Sequence, residues 1–361
     1  MLEESHAEIF EKLKADVHHI AVHSGNLIVG DTVMLNPLMR SLRDSFPLAS
    51  CDYIGFIQPF VMNFARRVLL FDNYVKLELK KDLFSAVGEF FTSIPVLKKN
   101  GYDLIVDNQF VMANSLLLKL SRKRWLLSQC SNGFFSDFPV PGKKDLPRHI
   151  IDKSVAPLRH IGLPNVYHEP YIRIDESERI RITQLFSENG ISSDSRVLGF
   201  APYSGHEIKN WPVEHYRNLM KIFLANGYKN IIAFVSPGQL VRCKNDFIGF
   251  SGQLRFSIEL LPESEDLNQV VPLIERMNLI IANDSGLAHV AAALDVPTIV
   301  IFGPTSPEKF APRGNSVKII SSSSQCSPCD IYKRCQNGMK CLKYISPDYV
   351  YIESEKLLCE K

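Results

Sequence analysis

The chain has 361 residues, of which 45% are hydrophobic and 22% charged, a composition typical of a soluble globular protein long enough for two domains. Its 41 basic and 39 acidic residues give a net charge of +2, which does not favour a nucleic-acid-binding protein. No apolar run approaches the roughly 20 residues of a membrane span, and the N-terminus lacks the apolar core of a signal peptide. We therefore expect a cytoplasmic protein.

Strand and helix patterns alternate in the first half of the chain. Short runs of β-forming residues predict strands, and stretches with apolar residues at helical spacing predict helices between them. The predicted strands are residues 19–23, 53–57, 102–107 and 124–127. The predicted helices are residues 32–45, 83–98 and 111–120. Such a βα repeat predicts a parallel sheet that is covered on both faces.

A stretch rich in Ser, Asn, Gly, Pro and Lys over residues 129–147 predicts a long surface loop, and residues 164–170 predict an interdomain link. A second βα series then begins. Its predicted strands are residues 196–201, 230–235, 279–282 and 298–302, and its predicted helices are residues 213–225, 267–277 and 285–294. Two doubly wound domains in tandem predict a ligand-binding cleft between them, at the carboxyl ends of both sheets.

The sequence Asn-Asp-Ser-Gly-Leu-Ala-His at residues 283–289 stands between a predicted strand and a predicted helix of small apolar residues. Asp284 or Ser285 can cap this helix. The helix N-terminus would present its N–H groups and the positive end of its dipole to the space above the sheet, where a phosphate-bearing ligand would bind. The alternative is an ordinary βαβ crossover in which the aspartate only caps the helix.

A second polar turn, residues 203–212, also follows a predicted strand and precedes a predicted helix. Ser204 and the Gly205 N–H can donate to phosphate oxygens, and Lys209 adds a positive charge. The alternative is a solvated turn with a packed tryptophan. The sequence contains no Asp-x-Asp, no Gly-x-Gly-x-x-Gly and no Walker lysine loop. Phosphate charge would therefore be met by helix termini and Lys209 rather than by a divalent ion.

Asp31 is the candidate reactive residue of the first half. It follows the first predicted strand, and Gly25 and Gly30 allow a tight loop there. At the top of the sheet, its carboxylate could act as a general base for an incoming hydroxyl group. The alternative is a helix N-cap, a position that aspartate fills well.

Four cysteines near the C-terminus form a compact set: Cys326, Cys329, Cys335 and Cys341. They could bind a structural zinc or iron ion, remain free thiols that pack a loop, or form two disulfides. In a reducing compartment a metal ion is the first of these interpretations and disulfides are the last.

The densest basic segment is Ser-Arg-Lys-Arg-Trp at residues 121–125, with Lys119 close by and Lys143 and Lys144 in the predicted loop. It could contact anionic lipid headgroups or a phosphorylated glycolipid. The alternative is a solvated helix end that leads into a strand.

Several of these motifs, in this order, resemble glycosyltransferase family 9, the bacterial heptosyltransferases that build the inner core of lipopolysaccharide. Gly-Asp-Thr-Val at residues 30–33 resembles the acceptor-side motif of the family, and Lys-Asn-Trp-Pro at residues 209–212 its lysine-Trp-Pro motif. Residues 284–289, together with Phe-Gly-Pro-Thr-Ser-Pro at residues 302–307, resemble its nucleotide-sugar motif. The Cys-rich tail resembles a segment found in part of the family.

The resemblance implies an α/β protein of GT-B fold, with two doubly wound Rossmann-like domains facing a central cleft. Residues 1–170 would be the acceptor-binding domain. Residues 171–345 would bind the nucleotide sugar and would include the Cys-rich segment at residues 326–341. Residues 346–361 would form a terminal helix that crosses back towards the first domain.

The resemblance also implies an inverting, metal-independent transfer of heptose from ADP-heptose to a lipopolysaccharide-core acceptor, at the cytoplasmic face of the inner membrane. Asp31 would deprotonate the acceptor hydroxyl, and Lys209 would hold the donor phosphates and assist the chemistry. The implied nucleotide-sugar-binding residues are Ser204, Gly205, Lys209, Asp284, Ser285, Gly286 and His289. The adenine pocket would be walled by residues 261–264. No cofactor would be required for catalysis.

Three departures from the family pattern leave the sugar and the acceptor open. The first loop is His-Ser-Gly-Asn-Leu-Ile at residues 23–28, where the family usually has a basic residue. Ser285 stands where the family often has threonine. The turn at residues 205–208 lacks the tryptophan or the paired threonines seen in some members. Two other functions are therefore kept as alternatives. One is a GT-B relative with another nucleotide sugar, another acceptor or an epimerase or hydrolase activity; the other is a non-catalytic sugar-nucleotide-binding protein.

Overall fold

The computed structural model describes residues 5–77, 83–142, 144–250, 254–261, 266–329 and 335–360, with the backbone alone for residues 83–91, 237 and 258. The chain divides into two compact units, Met1–Pro170 and Tyr171–Lys361. Each unit is built on its own parallel sheet, so the prediction of two βα series is confirmed.

The first unit has a parallel sheet with the strand order β3-β2-β1-β4-β5. Its strands are β1 (His19–Leu27), β2 (Ser50–Ile57), β3 (Tyr74–Lys76), β4 (Leu104–Asp107) and β5 (Trp125–Ser128). Its helices are α1 (His6–Asp16), α2 (Val29–Ser45), α3 (Met62–Leu69), α4 (Leu83–Asn100), α5 (Met112–Ser121) and α6 (Ile150–His160). Every residue of β4 is buried, as expected for a central strand covered on both faces.

The segment before β1 forms a helix that the sequence analysis did not predict. Ser5 and Glu8 form a capping box at its start, an arrangement that satisfies two backbone N–H groups at once. Ile9, Phe10 and Leu13 on one face of α1 are buried, so this segment contributes to the hydrophobic core of the first unit.

The second unit has a parallel sheet with the strand order β11-β10-β9-β6-β7-β8. Its strands are β6 (Val197–Ala201), β7 (Asn230–Ala233), β8 (Leu254–Phe256), β9 (Leu279–Asn283), β10 (Thr298–Phe302) and β11 (Val317–Ser321). Its helices are α7 (Glu176–Glu188), α8 (Val213–Ala225), α9 (Leu240–Asp246), α10 (Ser257–Leu260), α11 (Leu267–Glu275), α12 (Gly286–Ala293), α13 (Pro307–Phe310), α14 (Lys340–Lys343) and α15 (Pro347–Cys359).

Both sheets reverse their strand order at one point. In the first unit the chain moves outward from β1 to β3 and then returns to the other side of β1 with β4; in the second unit β9 returns to lie beside β6. Ligands of such sheets bind outside the carboxyl ends of the strands at this switch point. The reversals therefore mark the β1–β4 edge and the β6–β9 edge as candidate sites.

The C-terminal helix α15 packs within the second unit. Val350 and Leu357 belong to the hydrophobic cluster that also contains residues of α8 and of the central strands. Just before the helix, the Ile345 carbonyl accepts a hydrogen bond of 3.1 Å from the Trp211 indole N–H. The expected crossing of this segment towards the first domain stays a prediction, as do the functional roles assigned to the two domains.

Candidate functional site

Three strand ends place polar residues together in the second unit. β9 lies between β6 and β10 and is parallel to both, so the segments after these strands begin at the same edge of the sheet. These segments are the turn at residues 202–211, the turn at residues 283–285 and residues 303–306.

Lys209 and Asp284 meet at this edge, although 75 positions separate them. The Lys209 Nζ donates to Asp284 Oδ2 at 2.8 Å, and the two side chains are only 16% and 7% exposed. The same carboxylate oxygen accepts a hydrogen bond of 2.6 Å from Thr305 Oγ1. A largely buried charge is stable only with such partners, so the three residues form one polar cluster, named here the Lys209–Asp284–Thr305 cluster.

Asn283 holds the two turns in register. Its side chain is fully buried, and its Oδ1 accepts a hydrogen bond of 2.9 Å from the Trp211 backbone N–H. Its Nδ2 donates to the Pro202 carbonyl at 2.8 Å. A side-chain amide can serve backbone donors and acceptors together, and here it ties the end of β9 to both ends of the 202–211 turn.

Ser204 and Gly205 lie in this turn but differ in what their atoms do. The Ser204 hydroxyl is engaged within the turn, by the Asn210 Oδ1 at 2.9 Å and the His206 carbonyl at 2.7 Å. Gly205 is exposed, and a Cβ built there meets nothing within 4 Å. Ser204 therefore stabilises the turn, while Gly205 leaves its backbone open to a ligand.

Ser285 is the N-cap residue of α12, but its side chain makes no capping hydrogen bond. Its Oγ is buried without a hydrogen-bond partner among the described residues. Asp284 lies one residue before the N-cap position, and its Oδ2 accepts from Lys209 and Thr305 rather than from the helix. The capping alternative of the sequence analysis is therefore wrong for both side chains, and an orphan hydroxyl at a helix N-terminus is suited to an anionic group.

Gly286 begins α12 and His289 lies one turn further along it, where it is 4% exposed. The rest of the helix is almost entirely small buried residues, Ala288 and Ala291–Ala293 among them, so α12 can approach the sheet closely. Its N-terminal N–H groups stand directly after β9, beside the Lys209–Asp284–Thr305 cluster. This edge combines a cation, a helix N-terminus and hydroxyl donors, which is the chemistry that binds a phosphate.

Asp31 lies at the switch point of the first unit, in the first turn of α2. The helix begins at Val29, earlier than predicted, and its N-cap residue is Ile28. Asp31 is therefore not the helix cap, and its half-buried carboxylate stands at the positive end of the helix dipole. A negatively charged side chain is favourable at this position.

The four cysteines do not form a metal site among the described residues. Within those ranges there is no group of three or more His, Cys, Asp or Glu side chains arranged to hold a metal ion. All four are free thiols, and the Met339 N–H donates to the Cys335 sulfur at 3.3 Å. Burial, followed by the neighbouring Cys326, Cys335 and Cys329, raises the pKa of Cys341.

The basic segment at residues 119–124 is engaged in ion pairs. Lys119 and Arg122 both bind Asp137, at 2.5 and 2.8 Å. Lys123 and Arg124 bind Asp103 and Asp16, at 3.0 and 2.7 Å. These contacts favour the alternative of a solvated helix end, since each cation already has a carboxylate. Lys143 lies outside the described residues.

Asp137 is the acidic centre of that segment. Burial disfavours its charged form, but hydrogen bonds from Lys119, the Leu126 N–H and Arg122 outweigh it and hold the pKa of Asp137 below its usual range. Asp137 thus joins α5, through Lys119, to β5, through the Leu126 N–H, within the first unit.

Three further polar residues of the second-unit site, Thr305, Asn283 and Asn210, lie within the motifs quoted above but were given no role there. The available signal was their place in those motifs. Residues 262–264 of the proposed adenine wall lie outside the described residues. In the part of the chain that the structure describes, no helix is both long and apolar enough to cross a membrane.

Comparisons with known proteins identify the family of this chain. Residues 94–340 match the model of glycosyltransferase family 9 (heptosyltransferase). The chain is 26% identical over 366 residues to lipopolysaccharide heptosyltransferase 2 of Salmonella typhimurium, covering 92% of this chain and 97% of that protein.

Two solved structures share the fold over nearly the whole chain. A family 9 glycosyltransferase from Veillonella parvula superposes with a TM-score of 0.73 at 21% identity, covering 96% of this chain and 99% of the other. ADP-heptose lipopolysaccharide heptosyltransferase II of E. coli superposes with a TM-score of 0.69 at 22% identity, covering 95% and 98%. The predicted GT-B fold is thereby confirmed, and with a family model that spans most of its length, the chain belongs to glycosyltransferase family 9, the heptosyltransferases.

Proposed function

We propose that this protein transfers heptose from ADP-heptose to a lipopolysaccharide inner-core acceptor, with inversion at the anomeric carbon. The observation that carries the proposal is the Lys209–Asp284–Thr305 cluster beside the N-terminus of α12, where the buried Ser285 hydroxyl has no partner among the described residues. Two relatives support the donor: one is an ADP-heptose heptosyltransferase of E. coli, and a further E. coli heptosyltransferase has been solved with ADP.

In this reaction the acceptor hydroxyl oxygen attacks the anomeric carbon of the heptose. Asp31 takes the hydroxyl proton as the new carbon–oxygen bond forms. The bond from the anomeric carbon to the diphosphate oxygen breaks, its electron pair remains on that oxygen, and ADP leaves. One displacement inverts the configuration, so no covalent sugar–enzyme intermediate is needed.

The charge that develops on the leaving diphosphate would be stabilised by the second unit. Lys209 supplies a cation, Ser285 a hydroxyl donor, and Gly205, Gly286 and the following residues supply backbone N–H groups. Preorganised donors of this kind are usually the largest single contribution to catalysis, about 3–4 kcal/mol for one donor. Asp284 keeps the Lys209 ammonium in place, and His289 completes the buried wall at this end of α12.

The division of roles follows the two switch points. The first unit, residues 1–170, would bind the acceptor, and the second unit would bind the donor. Turnover would then require groups from both units to act on the same pair of substrates, and closure on substrate binding would be part of the cycle.

The reaction is tested with purified protein, ADP-heptose and a lipopolysaccharide-core acceptor, by following ADP release and the glycosylated product. We expect product only when both substrates are present, and unchanged turnover in EDTA. Free sugar or an epimer formed from the donor alone would instead indicate a hydrolase or epimerase. Tight ADP binding without any product would indicate a non-catalytic binding protein.

We propose that the enzyme works at the cytoplasmic face of the inner membrane, since a lipopolysaccharide-core acceptor is anchored in lipid. Flotation with vesicles tests this placement. We expect recovery with vesicles that contain the acceptor glycolipid; recovery that is equally low with and without it, at low salt, would count against membrane contact.

A structural zinc or iron ion at Cys326, Cys329, Cys335 and Cys341 is the last part of the proposal. The support is chemical: thiolates suit both metals, and the other three cysteines lie near enough to Cys341 to raise its pKa. Binding would require the sulfurs to draw closer together than they stand in the structure. Elemental analysis decides the matter, with one equivalent per chain expected in the native protein and none in a Cys335→Ser variant; a metal-free protein that stays folded and active would refute it.

A further inference from the structure

The irregular C-terminal part of β1 leads through Ile28 into α2 and to Asp31. This segment, residues 23–28, is named here the β1–α2 turn, and two sets of buried contacts hold it. β1 is irregular between His23 and Asn26 in its pairing with β2. Gly25, within this irregular stretch, has a φ of +55°, and a Cβ there would lie 1.9 Å from the Gln109 Nε2. The turn is thus packed tightly against neighbouring strand ends, which is unusual for a surface loop.

The first set of contacts ties the start of the turn to β4. His23 is 1% exposed, and its Nδ1 lies 2.8 Å from Asp107 Oδ1. The other Asp107 oxygen accepts hydrogen bonds from Ser115 and Ser128, at 2.5 and 3.0 Å. A carboxylate with so many donors is a rigid anchor, since each partner is itself fixed on a strand or helix.

The second set of contacts comes from β2 and centres on Tyr53. This side chain is 0% exposed, and its hydroxyl donates to the Gly25 carbonyl at 2.8 Å. Gly55, two residues along β2, leaves room for the contact: a Cβ there would lie 2.4 Å from the Gly25 oxygen and 2.7 Å from the Tyr53 hydroxyl.

The charge of Asp31 acts on this second anchor. Burial, then Tyr74 and then the charge of Asp31, raise the pKa of Tyr53. The Asp31 carboxylate therefore lies within electrostatic range of the hydroxyl that fixes the turn. Displacement of the Gly25 carbonyl would be transmitted through a few residues of backbone to the first turn of α2.

We propose that Tyr53 is a positioning residue for sugar transfer: by holding the Gly25 carbonyl, it fixes the β1–α2 turn and orients the Asp31 carboxylate towards the acceptor hydroxyl. This inference rests on the proposed function, in which Asp31 accepts the acceptor proton. Tyr53 touches no substrate and acts only through the turn. Because His23 and Asp107 still anchor the start of the turn, loss of the Tyr53 hydroxyl should misplace Asp31 without unfolding the unit.

Tyr102 provides a matched control on the same sheet. It is also 0% exposed, and its hydroxyl donates to Asp52 Oδ2 at 3.1 Å. Asp52 also contacts His19, the first residue of β1, so this hydrogen bond lies at the amino ends of the strands, away from Asp31. Tyr53→Phe and Tyr102→Phe thus remove the same atom from two buried tyrosines of the same unit, one bound near the carboxyl end of β1 and the other near the amino end.

The experiment compares the two variants with the wild-type protein and with Asp31→Asn, using kcat, KM for the acceptor, ADP affinity and the midpoint of chemical unfolding. We expect Tyr53→Phe to lower kcat by about 10- to 100-fold, the scale of a small misplacement of a reacting group. Its ADP affinity should be unchanged, and the acid limb of its kcat–pH profile should move. Tyr102→Phe should keep kcat within about 2-fold, since it only weakens the fold. Gly55→Ala, which crowds the same carbonyl, should repeat the effect of Tyr53→Phe.

The outcomes distinguish a failure of the positioning role of Tyr53 from a failure of the proposed role of Asp31. If Asp31→Asn is inactive but Tyr53→Phe keeps the wild-type kcat and pH profile, the positioning role is wrong and the proposed function stands. A loss of kcat that is equal in Tyr53→Phe and Tyr102→Phe also overturns it, because the effect is then general destabilisation. If Asp31→Asn retains full turnover, the base assignment itself is wrong.

Discussion

Removal of the Lys209 charge separates the structural role of the buried ion pair from its role in donor binding. In Lys209→Met the Asp284 carboxylate, 7% exposed, loses its cation and keeps the Thr305 hydroxyl. Breaking one side of a buried pair typically costs about 3–5 kcal/mol. Because Lys209 is 16% exposed and water can reach part of the site, we expect the lower end, about 3 kcal/mol.

The double variant Lys209→Met/Asp284→Asn removes both charges. Replacing a buried pair by neutral groups is often close to neutral in stability, so the double variant should regain most of what the single variant loses. Its donor binding should not recover. A charge-assisted hydrogen bond contributes about 1.5–3 kcal/mol, so ADP should bind about 10- to 100-fold more weakly in both variants.

Guanidinium-induced unfolding and calorimetric titration with ADP provide the two measurements. Lys244→Met is the control: Lys244 pairs with Glu259 on the surface, where both side chains are nearly half exposed, so its loss should cost less than about 1 kcal/mol and leave ADP binding unchanged. A double variant that loses as much stability as Lys209→Met and Asp284→Asn lose together, or a Lys209→Met variant that binds ADP as tightly as the wild type, would contradict this prediction.

Three further predictions concern single residues. Asp31→Asn should lower kcat by about 10²- to 10⁴-fold, the usual contribution of a general base, with ADP affinity unchanged in the same titration. Ser285→Ala should change the free energy of unfolding by less than about 0.5 kcal/mol, since its hydroxyl has no partner among the described residues, yet weaken ADP binding by about 10-fold, one hydrogen bond. The depressed pKa of Asp137 contributes stability that is complete above its unfolded-state pKa of about 3.9 and is lost as the pH falls through the lower folded-state value. Asp137→Asn should therefore be less stable than the wild type at pH 6, and the two unfolding midpoints should converge below about pH 3.

The periodicity of apolar residues was enough to predict most strands of the two sheets. The strand at residues 298–302 has the predicted bounds, and α8 begins and ends at the predicted residues. Both elements are regular: β10 is buried throughout, and α8 has one apolar face. Several helices were not predicted, α1, α3, α6, α7 and α9 among them. In α1 and α6 the signals are of another kind, a capping box at Ser5 and Glu8 in one and an internal Pro157 in the other.

The partners within the site could not be predicted in the same way. Lys209 and Asp284 were both candidates, but their contact depends on the strand order of the sheet. β9 lies beside β6, although β7 and β8 come between them in the chain. Sequence spacing carries no information on that strand order. The same holds for Tyr53 and Gly25, which meet only because β2 lies beside β1 and Gly55 leaves the space.

The opening of a helix serves different purposes at the two switch points. At α12, the N-cap hydroxyl has no hydrogen-bond partner in the part of the chain that the structure describes, and the helix itself contains no acidic side chain, so the dipole remains available to a phosphate. At α2, Asp31 occupies the first turn, so the dipole interacts favourably with a carboxylate of the protein. An anion-binding end suits a diphosphate that must leave with negative charge, whereas an occupied end suits a base that must start charged. The positive end of a helix dipole thus favours a donor site in the second unit and a proton acceptor in the first.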